Sequence, residues 1–208
     1  MGVIIPGATG EQCAKFDQYL SLLLKWNRVH SLTAIRSPDE VVKRHFLEST
    51  SVLPYIVGAS SLIDLGTGPG FPGIPLAIMR PLLPVTLLDS SQKKITFCQE
   101  VARVCALSNV HLTSERAEEY YKNNNSQKYD AVVSRATWSL EDYLPIASHY
   151  VQPKNGRIIA LKGPKYHAEL SAADLDACGL GPPEVLPLST GGDSESNLVV
   201  LIFKAVKL

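Results

Sequence analysis

The sequence predicts a doubly wound α/β domain whose seven-stranded sheet ends in an antiparallel hairpin and is preceded by helices. Three observations predict it. From residue 61 onward, short β-branched runs alternate with amphipathic stretches, the pattern of βαβ units and a parallel sheet. A glycine-rich segment follows the first of these runs, where a parallel sheet opens to a ligand. The last two runs are joined by STGGDSES with no helix between them, so they pair antiparallel.

Residues 1–58 read as a helical N-terminal extension and 59–208 as the sheet-bearing core of the same domain. Phe16, Leu20, Leu23, Leu24 and Asn27 recur at three and four spacing and predict a helix over 11–28. Ser37, Pro38 and Glu40 predict a capped start for a second helix over 38–57. Its VVKRHFLEST segment places Lys43, Arg44 and His45 together, as a solvated face or a basic contact surface. Strands are expected at 61–66, 85–89, 109–113, 129–134 and 156–162, then a helix over 166–178 closed by Gly179, then strands at 184–188 and 197–205. KNNNSQK at 122–128 reads as a polar loop.

With 208 residues, 45% of them hydrophobic, the chain can bury a sizeable core without disulfides or a structural metal. Lys plus Arg and Asp plus Glu both total 20, so a polyanionic partner has to be met by a local patch. Cys13, Cys98, Cys105 and Cys178 form no CxxC pair and fall in segments that read as helix, which points to core packing rather than metal or redox chemistry. Free thiols fit a reducing cytoplasm. The sequence shows no basic leader and no run of eighteen apolar residues, so no membrane span is expected.

Chemistry concentrates in DLGTGPGFPG, residues 64–73. Gly68, Gly70 and Gly73 satisfy GxGxxG, which alone is a weak sign of a dinucleotide. Pro69, Pro72 and Pro75 remove N–H donors and delay the helix that would hold a pyrophosphate. S-adenosylmethionine has no phosphate. It needs close backbone approach, which Gly66 and Gly68 allow, and an acidic residue near its ammonium, which Asp64 supplies. Asp89 ends the second strand, 23 residues after Gly66, and suits ribose hydroxyls; the alternative is a helix cap, which Ser90 or Ser91 can also provide. Ala117 and Glu118 lie where an adenine would, to be read by backbone or by carboxylate. After the fourth strand comes SRA, 134–136, without the Asn/Asp-Pro-Pro-aromatic motif of amino-methylating enzymes. No cysteine lies on the loops after strands four and five, which argues against a thiolate nucleophile. Arg135 is a planar donor suited to a carboxylate, a phosphate or a guanine edge.

LIDLGTGPGFPGIPLAI, VTLLDSSQKK, SRA and LKG, with KWNRVHSLT and VVKRHFLEST before the sheet, resemble the glucose-inhibited division protein B family over nearly the whole chain. The resemblance implies a Rossmann-like class I S-adenosylmethionine-dependent methyltransferase sheet. It implies methyl transfer to guanine N7 in a decoding-region loop of 16S ribosomal RNA, with the small ribosomal subunit as partner. It also carries cofactor contacts to Gly66, Phe71, Ala117, Glu118 and Arg135. The sequence departs from the family pattern at Ser31, where NLT is usual, and at Glu48, where RHFLDS is usual. Guanine N7 carries no proton, so no catalytic base and no metal are expected, only positioning by Arg135. A basic rim for RNA is expected from Arg44, His45, Lys93, Lys94, Lys162 and Lys165. The competing readings are an S-adenosylmethionine enzyme for a small molecule or protein, a non-catalytic cofactor-binding assembly factor, and a nicotinamide dehydrogenase, for whose substrate domain the chain has no room.

Overall fold

The computed structural model describes residues 2–124, 127–135, 138–188 and 198–206. Seven strands form one sheet: β1 (Leu62–Leu65), β2 (Val85–Leu88), β3 (Val110–Thr113), β4 (Ala131–Arg135), β5 (Arg157–Lys162), β6 (Glu184–Pro187) and β7 (Val199–Lys204), in the order β3-β2-β1-β4-β5-β7-β6. β1 to β5 are parallel, and β7 lies antiparallel between β5 and β6. The expected hairpin is therefore present. Its linker, 189–196, and Asn197 lie outside the described residues, as do Ala136 of SRA and residues 125–126 of the polar loop. The strand order reverses between β1 and β4, and ligands of such sheets bind outside the strand ends at that point.

The eight helices seen among the described residues are α1 (Gly10–His30), α2 (Pro38–Val41), α3 (Glu48–Thr50), α4 (Gly73–Met79), α5 (Gln92–Val104), α6 (Ala117–Asn123), α7 (Leu140–Tyr150) and α8 (Tyr166–Ala172). Alternation along the strands divides the core in two. Leu62, Val85, Leu87, Val133 and Ile159 face α1, α4 and α5, while Ile63, Leu65, Val132, Ile158 and Phe203 face α6 and α7. Phe16, Tyr19, Leu23, Val41 and Phe46 belong to the first of these clusters, so the N-terminal helices are a layer of the core itself.

Helix boundaries depart from expectation in three places. The capping box forms at Thr9 and Gln12, where each side chain accepts from the other's backbone N–H, whereas the Ser37 side chain makes no cap bond. The single helix expected over 38–57 is α2, a π-helical stretch (Val42–Leu47), α3 and a 3-10 turn (Leu53–Ile56). The helix expected over 166–178 stops at Ala172. Hydrogen-bonded turns carry the chain on to Gly179, whose φ of 67° closes them.

α1 ends at Ser31, held at φ 50°, ψ 51° with its N–H on the Asn27 carbonyl. A left-handed conformation costs a residue with a Cβ roughly 1–2 kcal/mol, and glycine avoids most of that while losing more backbone entropy. Ser31→Gly is therefore expected to stabilise the fold by about 0.5–1 kcal/mol. Urea unfolding should show a higher midpoint at unchanged slope; a lower midpoint would contradict this account of the cap.

Candidate cofactor and acceptor site

Asp64 sits in β1 with no solvent exposure. Its Oδ2 accepts from the Thr67 hydroxyl at 2.7 Å and from the Gly73 N–H at 2.8 Å, while its Oδ1 is buried without a hydrogen-bond partner. Burial pushes its pKa from 3.8 up to about 7, against the pull of those two bonds. The two contacts fold 64–73 back on itself, and α4 starts only at Gly73, after Pro72, so the helix start is delayed as expected. Gly70 has φ +102°, and a Cβ there would lie 2.5 Å from Ile74 and 2.7 Å from the Tyr19 hydroxyl. At Gly73 a Cβ would meet Leu87 at 2.2 Å.

Asp89, 7% exposed, takes part in the same loop. Its Oδ2 accepts from the Gly68 N–H at 2.9 Å and lies 3.4 Å from Lys94 Nζ, and its Oδ1 accepts from the Ser91 N–H at 2.8 Å. It thus ties the glycine loop to the start of α5. Ser91 occupies the N-cap position without a side-chain cap bond, so the backbone N–H there is served by Asp89.

Two cavities meet at Gly66, whose φ is 68°. One, of about 210 Å³, is lined by Gly66, Leu88, Asp89, Ser90, Lys94, Glu115, Arg116, Ala117, Glu118 and Trp138. The other, of about 410 Å³, is lined by Leu32, Thr33, His45, Gly66, Thr67, Gly68, Pro69, Phe71, Lys94 and Arg135. The first offers a carboxylate at a strand end, a bare glycine backbone and the start of α6, a donor and acceptor set that fits a nucleoside. The orphaned Asp64 Oδ1, behind the loop, adds an uncompensated acceptor suited to a cationic ligand.

The second cavity is walled by a stack of rings and one cation. Phe71 lies against His45 (centroids 4.4 Å, 18°) and Tyr19 (5.3 Å, 23°), and the Arg135 guanidinium is 5.1 Å from its ring centre. Arg135 donates to the Arg44 carbonyl at 2.7 Å and to His45 Nδ1 at 2.8 Å, and it lies 3.6 Å from Glu48 Oε2. An arginine only donates, so His45 Nδ1 is the acceptor and Nε2 carries the proton, directed at Thr33 Oγ1 at 2.9 Å. Thr33 is in turn fixed by Asn27, which accepts from its N–H and donates to the Thr33 and Ile35 carbonyls. Burial, with the adjacent Arg135 charge, lowers the His45 pKa from 6.5 to about 3.

All the sequence-derived cofactor residues except Asp64 line one or both cavities; Asp64 lies beneath them. The basic rim is corrected at two positions. Lys162 is 6% exposed, donating to the Trp138 carbonyl and to Glu169 at 2.7 Å. His45 is buried and neutral, not a surface cation. Lys94 turns inward to Asp89. Arg44, Lys93 and Lys165 are exposed, with Lys93 reaching the His30 carbonyl and Arg44 lying 3.9 Å from Glu40. Tyr19, Glu115 and Trp138 were not foreseen. Tyr19 stands three residues after Phe16 on the buried stripe, Glu115 three before Glu118, and Trp138 three after Arg135, spacings that gave a usable signal.

The sheet topology and the paired cavities at the switch point define a class I S-adenosylmethionine-dependent methyltransferase. Its fold is similar to that of an O-methyltransferase from Bacillus cereus in complex with SAH (TM-score 0.64, 18% identity, covering 90% of this chain and 91% of that one). The rRNA small subunit methyltransferase G (GidB) family matches residues 12–184, and the chain belongs to it. Relatives named ribosomal RNA small subunit methyltransferase G include one from Chromobacterium violaceum, 38% identical over 197 residues (94% of this chain, 91% of the relative). Another, from Xanthomonas campestris pv. campestris, is 43% identical over 185 residues (88% and 84%).

Titration of the two buried groups has opposite signs. Between about pH 3 and 6.5 the unfolded chain holds a proton on His45 that the folded chain does not, so the His45 contribution is whole above 6.5 and lost on acidification. Between 3.8 and about 7 the folded chain holds the extra proton on Asp64, and that contribution weakens as pH rises. The stability difference between wild type and His45→Gln, from urea unfolding, is expected to be larger at about pH 7 than at about pH 4.5. A difference independent of pH would show that His45 is not held neutral.

Proposed function

We propose that the chain methylates N7 of a guanine in 16S ribosomal RNA, with S-adenosylmethionine in the Asp89 cavity and the acceptor base in the Phe71 cavity. The observation that carries this reading is the state of the titratable groups lining the second cavity: His45, Lys94 and Arg135. Both His45 nitrogens are committed, Lys94 is drawn to Asp89, and Arg135 is permanently charged. None is placed to remove a proton, and N7 has none to lose.

When bound, S-adenosylmethionine supplies an electrophilic methyl group. The residues of the chain are left with positioning, which is worth roughly 7–11 kcal/mol when the geometry is right. In this reading Asp89 holds the ribose, Ala117 and Glu118 hold the adenine, and Gly66 and Gly68 admit the amino-acid end above Asp64. Phe71 offers a flat face to the acceptor base, and Arg135 keeps Phe71 and the π-helical stretch in place. An unpaired or extruded base is needed to reach this depth, which loops of RNA provide most readily. The small ribosomal subunit is the partner that carries such a loop. No helix among the described residues is long and apolar enough to cross a membrane.

Labelled methyl groups should map by digestion and mass spectrometry to one guanine of 16S rRNA. The same position carrying 7-deazaguanosine should accept none; methylation of that analogue would remove N7 as the acceptor. The single-turnover rate at saturating cofactor is expected to be flat from about pH 6 to 9. A limb in that range that disappears in His45→Gln would restore a general base. Arg135→Lys should recover only part of the rate lost in Arg135→Ala, because an ammonium cannot hold the Arg44 carbonyl and His45 Nδ1 in one plane. Full recovery would mean that charge alone suffices.

A further inference from the structure

A third cavity, of about 320 Å³, lies between the end of α1 and the start of α2 and is lined by Leu24, Asn27, Arg28, Arg36 and Pro38. Both arginines are exposed, and neither takes part in a hydrogen bond or ion pair among the described residues. The surrounding sequence is charge-asymmetric. Residues 25–44 hold five Lys and Arg against two acids, in a chain whose totals are equal at 20 each. Arg28, in the last turn of α1, complements the helix dipole and so serves the fold. Arg36 does not. It precedes the helical run that begins at Pro38, where the dipole favours an anion, and it caps nothing. A cation kept at a position unfavourable to its own helix, next to a second unpaired arginine across a cavity, points to an anion from outside.

The cavity is joined to the acceptor site through one residue. Asn27 lines it and, through its side-chain bonds to Thr33 and Ile35, fixes the loop that places Thr33 beside His45. The loop 31–36 therefore has the acceptor cavity at one end and the arginine pair at the other. Two guanidinium forks match phosphate oxygens in a way that single ammonium groups do not.

Building on the reading of RNA as the acceptor, we infer that Arg28 and Arg36 form a phosphate clamp for the strand that leads to the target base. The clamp reads backbone and not sequence. It gives a charge-balanced protein a local hold on a polyanion.

The test uses the full chain and an unmodified 16S rRNA fragment, with binding measured by filter retention from about 50 to 200 mM salt and methyl transfer measured alongside. Each phosphate contact contributes about 0.7 to 0.9 to the slope of log affinity against log salt. Arg28→Gln with Arg36→Gln should flatten that slope by about 1.4 to 1.8, so the wild-type advantage shrinks roughly 7- to 12-fold across the range. KM for RNA should rise with kcat unchanged, calorimetric cofactor affinity should be unaffected, and Lys122→Gln, an exposed charge on α6, should leave the slope as it is. An unchanged slope overturns the clamp. So does a fall in kcat at constant KM, which would make the arginines supports for the Thr33 loop. If wild type binds the fragment with the expected slope change in the variant yet methylates no guanine N7, the proposed function fails while the clamp stands.

Discussion

Asp64 carries a charge-capable carboxylate into the middle of a parallel sheet, where solvation cannot stabilise it, and two short contacts to one of its oxygens compensate in part. Those contacts come from Thr67 and Gly73, six residues apart, so satisfying the carboxylate requires the intervening loop to double back. Much of the site follows from that loop. Gly68 is brought to where its N–H meets Asp89, Pro69 to where its carbonyl meets Tyr19, and Phe71 into the ring stack. The crowding at Gly70 and Gly73 shows how little room the doubled loop leaves for a side chain.

Arg135 supplies a second constraint of the same kind from the opposite side of the switch point. Burial works against its charge, and Glu48 is the chief group offsetting it. An arginine buried with one carboxylate, one carbonyl and one imidazole is worth little as net stability, and removing a partner is costly. Its contribution is geometric: it locks the π-helical stretch against the end of β4 and closes the acceptor cavity with residues distant in sequence.

The sheet was legible because its signals are local. β-branched runs, the glycine loop and the helix-free final connection each act over fewer than ten residues, and β1 to β5 and the hairpin lie where those runs fall. The cofactor half was legible for the same reason, since Gly66, Asp89 and Ala117 stand at strand ends or helix starts. Ser37 was misread because Ser-Pro-x-Glu matches a cap by composition, while whether the hydroxyl turns inward depends on the loop before it. Lys162 and His45 were placed on the rim because charge and ring chemistry favour solvent on average; Glu169 and Arg135, which draw them inside, are partners 7 and 90 residues away. No local pattern encodes such pairings.

The π-helical stretch (Val42–Leu47) bears on how this segment can vary. Its wider turn accommodates residues that a regular helix of the same length would not hold on that face. Removing one residue before His45 would restore ordinary pitch and rotate everything behind it by about 100°. His45, Phe46 and Glu48 would then leave Arg135 and the ring stack together, although each side chain was still present. In this helix the count of residues is a functional parameter in its own right: side chains can be exchanged one at a time, but a change in length disconnects the N-terminal layer from the site.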